Sequence, residues 1–149
     1  MSYRIKDYLE KEVATINVGA SILEASKLMM KKDVGYLVVL ERDQPVGMVT
    51  ERDLVMKVIA KEKNPSTVKV SEIMSSPLIT VNLDATIEDA VKAMAKHRIR
   101  RLPVVKDNVI CGIFTTRDLT KHFNEYADRI ARDISNMQSI YGRSVNLEF

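Results

Sequence analysis

Two stretches of this sequence set a hydroxyl and a carboxylate three residues apart where an apolar run gives way to a helical pattern: Thr50-Glu51-Arg52-Asp53 and Thr115-Thr116-Arg117-Asp118. A strand that ends on threonine at a helix N-terminus gathers backbone N–H groups, a dipole and a side-chain oxygen at one spot, which suits an anion. The carboxylate adds a second chemistry, since it can accept two hydroxyl hydrogen bonds from a ribose. A simpler reading competes with this. Threonine at an N-cap with an acidic residue three positions on closes the first helical turn and contributes roughly 1 kcal/mol. Ser21-x-x-Glu24 and Thr86-x-x-Asp89 have the same shape with no ligand implied. What separates Thr50 and Thr115 is the run ahead of each, Gly47-Met48-Val49 and Gly112-Ile113-Phe114. These place the hydroxyls at the mouth of a sheet, where open α/β structures bind their ligands.

A second group able to meet an anion is Arg98, Arg100 and Arg101, just ahead of the apolar run Leu102-Pro103-Val104-Val105. An exposed charged edge explains the same residues equally well. Arg52 and Arg117 are placed to reach a phosphate or to lie on a helix surface. Pro103 lacks an N–H, which suits a strand end or a ladder interrupted for a ligand. His97 and His122 are too few and too scattered for a metal site. No nucleophile–base pair, metal cluster or glycine-rich loop supports catalysis, so the expectation is a binding protein without a required cofactor.

These features occur twice. A gap-free shift of about 65 residues lays Leu37–Leu40 on Leu102–Val105 and Gly47–Leu54 on Gly112–Leu119. Between Thr15 and Leu54, roughly 15 of about 40 positions are identical to their shifted partners. Each copy reads strand, helix, strand, strand, helix. The first helices begin at Ser21 and Thr86 with capping boxes and carry Ile22, Ala25, Leu28, Met29 and Ile87, Ala90, Val91, Met94 at helical spacing. The unbroken apolar runs that follow predict strands covered on both faces. Polar breaks at Arg42-Asp43-Gln44 and Lys106-Asp107-Asn108 predict hairpins. Second helices follow from about Glu51 to Lys61 and from about Thr116 onward.

The chain has 149 residues, is 46% hydrophobic and carries a net charge of +3. That suits one compact domain or two small halves sharing a core, and excludes a strong general field for nucleic acid. Cys111 is the only cysteine, so no intrachain disulfide framework or cysteine zinc site is possible. No window approaches membrane-spanning length and the N-terminus lacks an apolar signal region, so a cytoplasmic protein without a membrane contact is expected. A repeat of about 50 residues buries too little surface to be secure alone, so the two should pack as one pseudo-twofold domain. The reading is a first repeat over 1–62, a linker over 63–69, a second repeat over 70–125 and a helical extension over 126–149. In that extension Leu119, Phe123, Tyr126, Ile130, Ile134, Met137 and Tyr141 form a stripe up to a plausible C-cap at Gly142. The stripe is expected to cover the protein's own core; packing on a second subunit or a partner is the alternative.

The duplicated unit resembles a pair of cystathionine-β-synthase-type (CBS) domains, the regulatory pair known as a Bateman module. The residues that carry the resemblance are Val70-Ser71-Glu72-Ile73-Met74-Ser75-Ser76-Pro77 before Ile79–Val81, His97 to Val105, and both Gly-x-x-Thr-x-x-Asp runs. It covers about Ile5 to Phe123. It implies an α/β (α+β) fold of two β-α-β-β-α repeats with adenosine-type ligands in clefts between them. By the resemblance, Thr50 and Asp53 work with Thr80, Val81 and Ile99, and Thr115 and Asp118 with Thr15, Ile16 and Val34. Arg100 and Arg101 match positions where the family places basic residues toward phosphates. The first repeat departs from this, with Gly35 and Tyr36 there, and with Glu51 where the second has Thr116. Coulomb repulsion at Glu51 makes one site less welcoming to polyphosphates, so unequal sites are expected.

The resulting reading is a regulatory module that senses AMP, ADP, ATP, a dinucleotide or S-adenosylmethionine and passes the signal, by a change of shape, to an unidentified protein partner. A homodimer is expected by analogy with the family. Two other readings remain: a nucleic-acid-associated protein using Arg98, Arg100, Arg101 and the terminal helix, and a dimeric adaptor with non-functional clefts.

Overall fold

A computed structural model of the chain describes residues 3–141; the expected cap at Gly142 lies outside the described residues. The first repeat comprises β1 (Thr15–Asn17), α1 (Ile22–Lys32), β2 (Tyr36–Glu41), β3 (Gln44–Thr50) and α2 (Glu51–Leu54). A wider π-type turn over Val55–Ile59 prolongs α2. After the short helix α3 (Val70–Ile73) come β4 (Val81–Asn82), α4 (Ile87–His97), β5 (Arg101–Lys106) and β6 (Val109–Thr115). The helix α5 (Thr116–Tyr141) follows and forms a unit of its own, the body ending at Thr115.

Local chemistry accounts for these elements. Ser21 and Thr86 cap α1 and α4, each accepting the N–H of the residue three on while Glu24 or Asp89 takes the cap's own N–H. The bonds from the Thr86 N–H and hydroxyl hold the Asp89 carboxyl below its ordinary pKa. Both helices stop on a left-handed residue, Asp33 (φ 52°) and Arg98 (φ 53°). Each hairpin turns on two residues of positive φ, Arg42-Asp43 and Asp107-Asn108, whose twist matches that of the flanking strands.

The body holds two three-stranded sheets, β1-β2-β3 and β4-β5-β6. In each the central strand runs parallel to the first, with a helix as crossover, and antiparallel to the third. The register slips between Val39 and Leu40 in one repeat and between Val104 and Val105 in the other, which are equivalent positions. As their composition predicts, Tyr36–Val39 and Leu102–Val104 are buried.

The segment leading into each repeat bonds to the other repeat. Ile87 donates to the Tyr3 carbonyl at 2.9 Å, Ile5 to Ala85 at 3.1 Å, and Glu10 and Ile113 exchange both backbone bonds. Sixty-five residues on, the pattern recurs in reverse: Ile22 donates to Val68, Val70 to Ala20, and Ser75 and Met48 exchange both bonds. Val68, Val70 and Ile73 thereby enter the core of the first repeat beside Ile22, Leu37, Val39 and Val49. Burying three such side chains is worth roughly 1.5–3 kcal/mol each, a large share of a domain's net stability.

Two glycines permit this exchange. A Cβ at Gly47 would lie 2.6 Å from the Ser75 carbonyl oxygen, and one at Gly112 would lie 2.5 Å from that of Glu10 and collide with the Leu9 side chain.

On α5, Phe123, Ile130, Ile134 and Met137 are exposed. No helix among the described residues is long and apolar enough to cross a membrane.

Gly112→Ala is expected to push the leading segment off β6, lowering stability by about 1–3 kcal/mol in urea and opening residues 3–13 to proteolysis. An unchanged cleavage pattern would show that the segment is held elsewhere.

Candidate functional site

Thr50 ends β3, and its side chain caps α2. Its hydroxyl accepts the Asp53 N–H, while Asp53 Oδ2 accepts the Thr50 N–H at 2.9 Å and the Thr50 hydroxyl at 3.1 Å. Asp53 Oδ1 pairs with Lys57 Nζ at 3.1 Å, and that ammonium also donates to the Ile73 carbonyl. The cap reading and the site reading therefore hold together. The carboxylate is oriented by its cap and turned toward an open space.

That space is a cleft of about 560 Å³ between the repeats. The first repeat contributes Met48, Thr50, Glu51, Arg52 and Asp53. The second contributes Ser75, Pro77, Leu78, Ile79, Arg98, Ile99, Arg100, Arg101 and Pro103. The exchange of leading segments builds one wall, because Ser75 is bonded to Met48 and the chain runs on from there through Pro77 to Ile79. Leu78, Ile79 and Ile99 are half-buried, an apolar surface on which a flat ring can lie.

The arginines come from the end of α4 and the start of β5. Arg98 holds the left-handed conformation that ends α4, at a cost of about 1–2 kcal/mol for a residue with a Cβ. Arg101 stands with its guanidinium carbon 5.7 Å from the centre of the Tyr36 ring, within cation–π range. Four guanidinium groups against the two carboxylates of Glu51 and Asp53 leave the cleft positive.

Of the residues singled out in the sequence, Thr50, Asp53, Ile99, Arg100 and Arg101 meet in this cleft. Thr80 and Val81 do not line it; Val81 is committed to pairing with Val104 in the sheet, and Leu78 and Ile79 form the wall instead. Arg52 and Arg98, weighed both as anion contacts and as surface charges, also line it. Thr115 ends β6 opposite Arg101, and Arg117 and Asp118 stand in the first turn of α5. Thr15 and Ile16 lie in β1, and Val34 follows the end of α1. Ser75, Pro77, Leu78 and Ile79 were missed as site residues, although the stretch Val70–Pro77 ahead of Ile79 carries part of the family resemblance.

The family model for the CBS domain matches residues 5–60 and again 70–125. The chain belongs to the CBS-domain family. It is 37% identical over 134 residues to the CBS domain-containing protein YhcV of Bacillus subtilis, covering 89% of this chain and 95% of that one. It is 39% identical over 120 residues to the uncharacterized protein MK0525 of Methanopyrus kandleri, spanning 79% of this chain but only 61% of that relative. Among solved structures it resembles the CBS domain pair of protein MJ0100 in complex with 5'-methylthioadenosine and S-adenosyl-L-methionine. That match has a TM-score of 0.75 and 29% identity, over 85% of this chain and 99% of that one. The CBS pair described here thus shares its fold with one that holds adenosyl compounds.

Asp53→Ala removes the cap acceptor and strands Lys57 beside a carbonyl. It should cost about 1 kcal/mol in urea titration with an unchanged far-UV spectrum. Loss of the whole transition would mean that Asp53 holds more of the body than its cap.

Proposed function

We propose that this protein is a regulatory module that binds an adenosine-type ligand in the cleft between its two CBS repeats and passes occupancy to a partner protein by a change in their arrangement. The observation that carries the reading is the convergence of an oriented Thr50–Asp53 pair, an apolar wall at Leu78, Ile79 and Ile99, and a guanidinium group in one cleft. Those three chemistries suit ribose hydroxyls, a purine face and an anionic tail respectively. The adenosyl compounds held by the MJ0100 pair support the same class of ligand. Thr115 and Asp118, with Thr15, Ile16, Val34 and Arg117, are the corresponding set for a second site. AMP, ADP, ATP and S-adenosylmethionine all satisfy the ribose contact, and none is required for folding. A ligand acts as a signal only through unequal affinity for two conformations, so the repeats must change their arrangement on binding.

The test is a thermal-shift titration with these ligands and with short single-stranded DNA and RNA, at low and moderate salt. A ligand at about 100 times its Kd should raise the melting temperature by about 5–10 °C. The shift should be lost in Asp53→Ala and reduced in Asp118→Ala. Binding of nucleic acid that falls steeply with salt and ignores both aspartates would favour the nucleic-acid reading instead. Silence from every probe would leave an adaptor.

The exposed stripe Phe123, Ile130, Ile134 and Met137 supports the proposal that the protein is a homodimer through α5. These residues are spaced by seven, four and three positions, which keeps them on one face of the helix. Light scattering of the double variant Ile130→Asp/Ile134→Asp should then report a monomer. A persisting dimer would exclude α5 as its main contact.

A further inference from the structure

We propose that Glu51 sets the anionic capacity of the cleft, so that it accepts a ligand with a single phosphate group and turns away polyphosphates. The inference rests on the adenosine-ligand reading above for the base and sugar. It concerns what is attached to them.

Glu51 opens α2, and its N–H donates to the Gly35 carbonyl at 3.0 Å, which fixes it over the start of β2. A Cβ at position 35 would lie 2.8 Å from Glu51 Oε1 and 3.1 Å from Arg101 Nη2. Carboxylate and guanidinium from opposite repeats thus share the room that the missing side chain leaves. Arg101 is held from its other side by the Tyr36 ring. Asp53 is already engaged by Thr50 and Lys57, so Glu51 is the carboxylate that an incoming phosphate meets.

The charges point the same way. With Lys57 set against Asp53 at 3.1 Å, Glu51 is the carboxylate that stands against Arg52, Arg98, Arg100 and Arg101 in the lining of the cleft. Each phosphate beyond the first adds negative charge that this fixed carboxylate repels. The duplication supplies the control. At the positions equivalent to Glu51, Arg100 and Arg101, the chain has Thr116, Gly35 and Tyr36. The carboxylate occurs on the side where the arginines occur, as a counterweight to them.

The experiment is calorimetric titration of the full chain and its Glu51→Gln and Glu51→Asp variants with AMP and with magnesium-free ATP at low salt. Wild type should bind AMP at least about tenfold more tightly than ATP. Glu51→Gln should tighten ATP by about fivefold to tenfold while AMP stays within about twofold, and Glu51→Asp, which keeps the charge, should retain the discrimination. A Glu51→Gln variant that moves AMP and ATP by the same factor, or a wild type that prefers ATP, overturns the proposal. Inorganic tripolyphosphate, which has no base or sugar, separates it from the reading beneath. If no nucleotide binds but tripolyphosphate binds Glu51→Gln more tightly than wild type, the charge limit stands and the adenosine reading falls. If nothing binds any form, both fall.

Discussion

Ser75 and Met48 exchange both of their backbone hydrogen bonds, at 2.9 and 3.0 Å, and the rest of the molecule depends on that pair and its counterpart at Glu10 and Ile113. The constraint behind it is size. A repeat of about 50 residues has too little interior to close around its own sheet, and the first takes Val68, Val70 and Ile73 from the segment that leads into the second. Once Ser75 is fastened to β3, the chain from Pro77 to Ile79 has only one way to run, along the mouth of the first repeat's sheet. The Thr50–Asp53 cap stands at that mouth, so one act of packing completes a core and places a wall beside a carboxylate.

Much of this architecture was legible in the sequence. The gap-free shift located both repeats, and the caps at Ser21, Thr86 and Thr50 and the hairpin turns at Arg42-Asp43 and Asp107-Asn108 are local devices readable a few residues at a time. The buried central strands followed from runs with no polar alternation. What escaped was non-local. Nothing in Val68-Lys69-Val70 says which repeat it will fill, because either core would accept the same valines. For the same reason the wall of the cleft lies at Pro77, Leu78 and Ile79, ahead of the strand at Val81. The stripe on α5 shows the complementary limit, since helical spacing identifies an apolar face and is silent on what covers it.

The two repeats share their folding residues and differ where a ligand would touch them. Gly47 and Gly112, Thr50 and Thr115, Asp53 and Asp118 are paired identities; the glycines serve close approach in both copies, and Thr50 and Asp53 cap the helix that follows them. Tyr36 and Arg101 are equivalent positions as well, yet they differ in kind and lean on one another across the pseudo-twofold relation. Symmetry is thus kept for stability and broken at the meeting point of the halves. An arginine that belongs at once to the cleft and to this contact cannot change partners in one without being felt in the other.

The reciprocal lending of leading segments also bears on ancestry and engineering. A chain carrying a single copy would hold a segment with no sheet to join and a sheet with an open flank, and each lack is the other's remedy. Two such half-length chains would satisfy each other without any new contact, with the join over Lys61–Thr67 merely raising the local concentration of one for the other. The covalent link between the halves is then a tether added to an assembly that could already form.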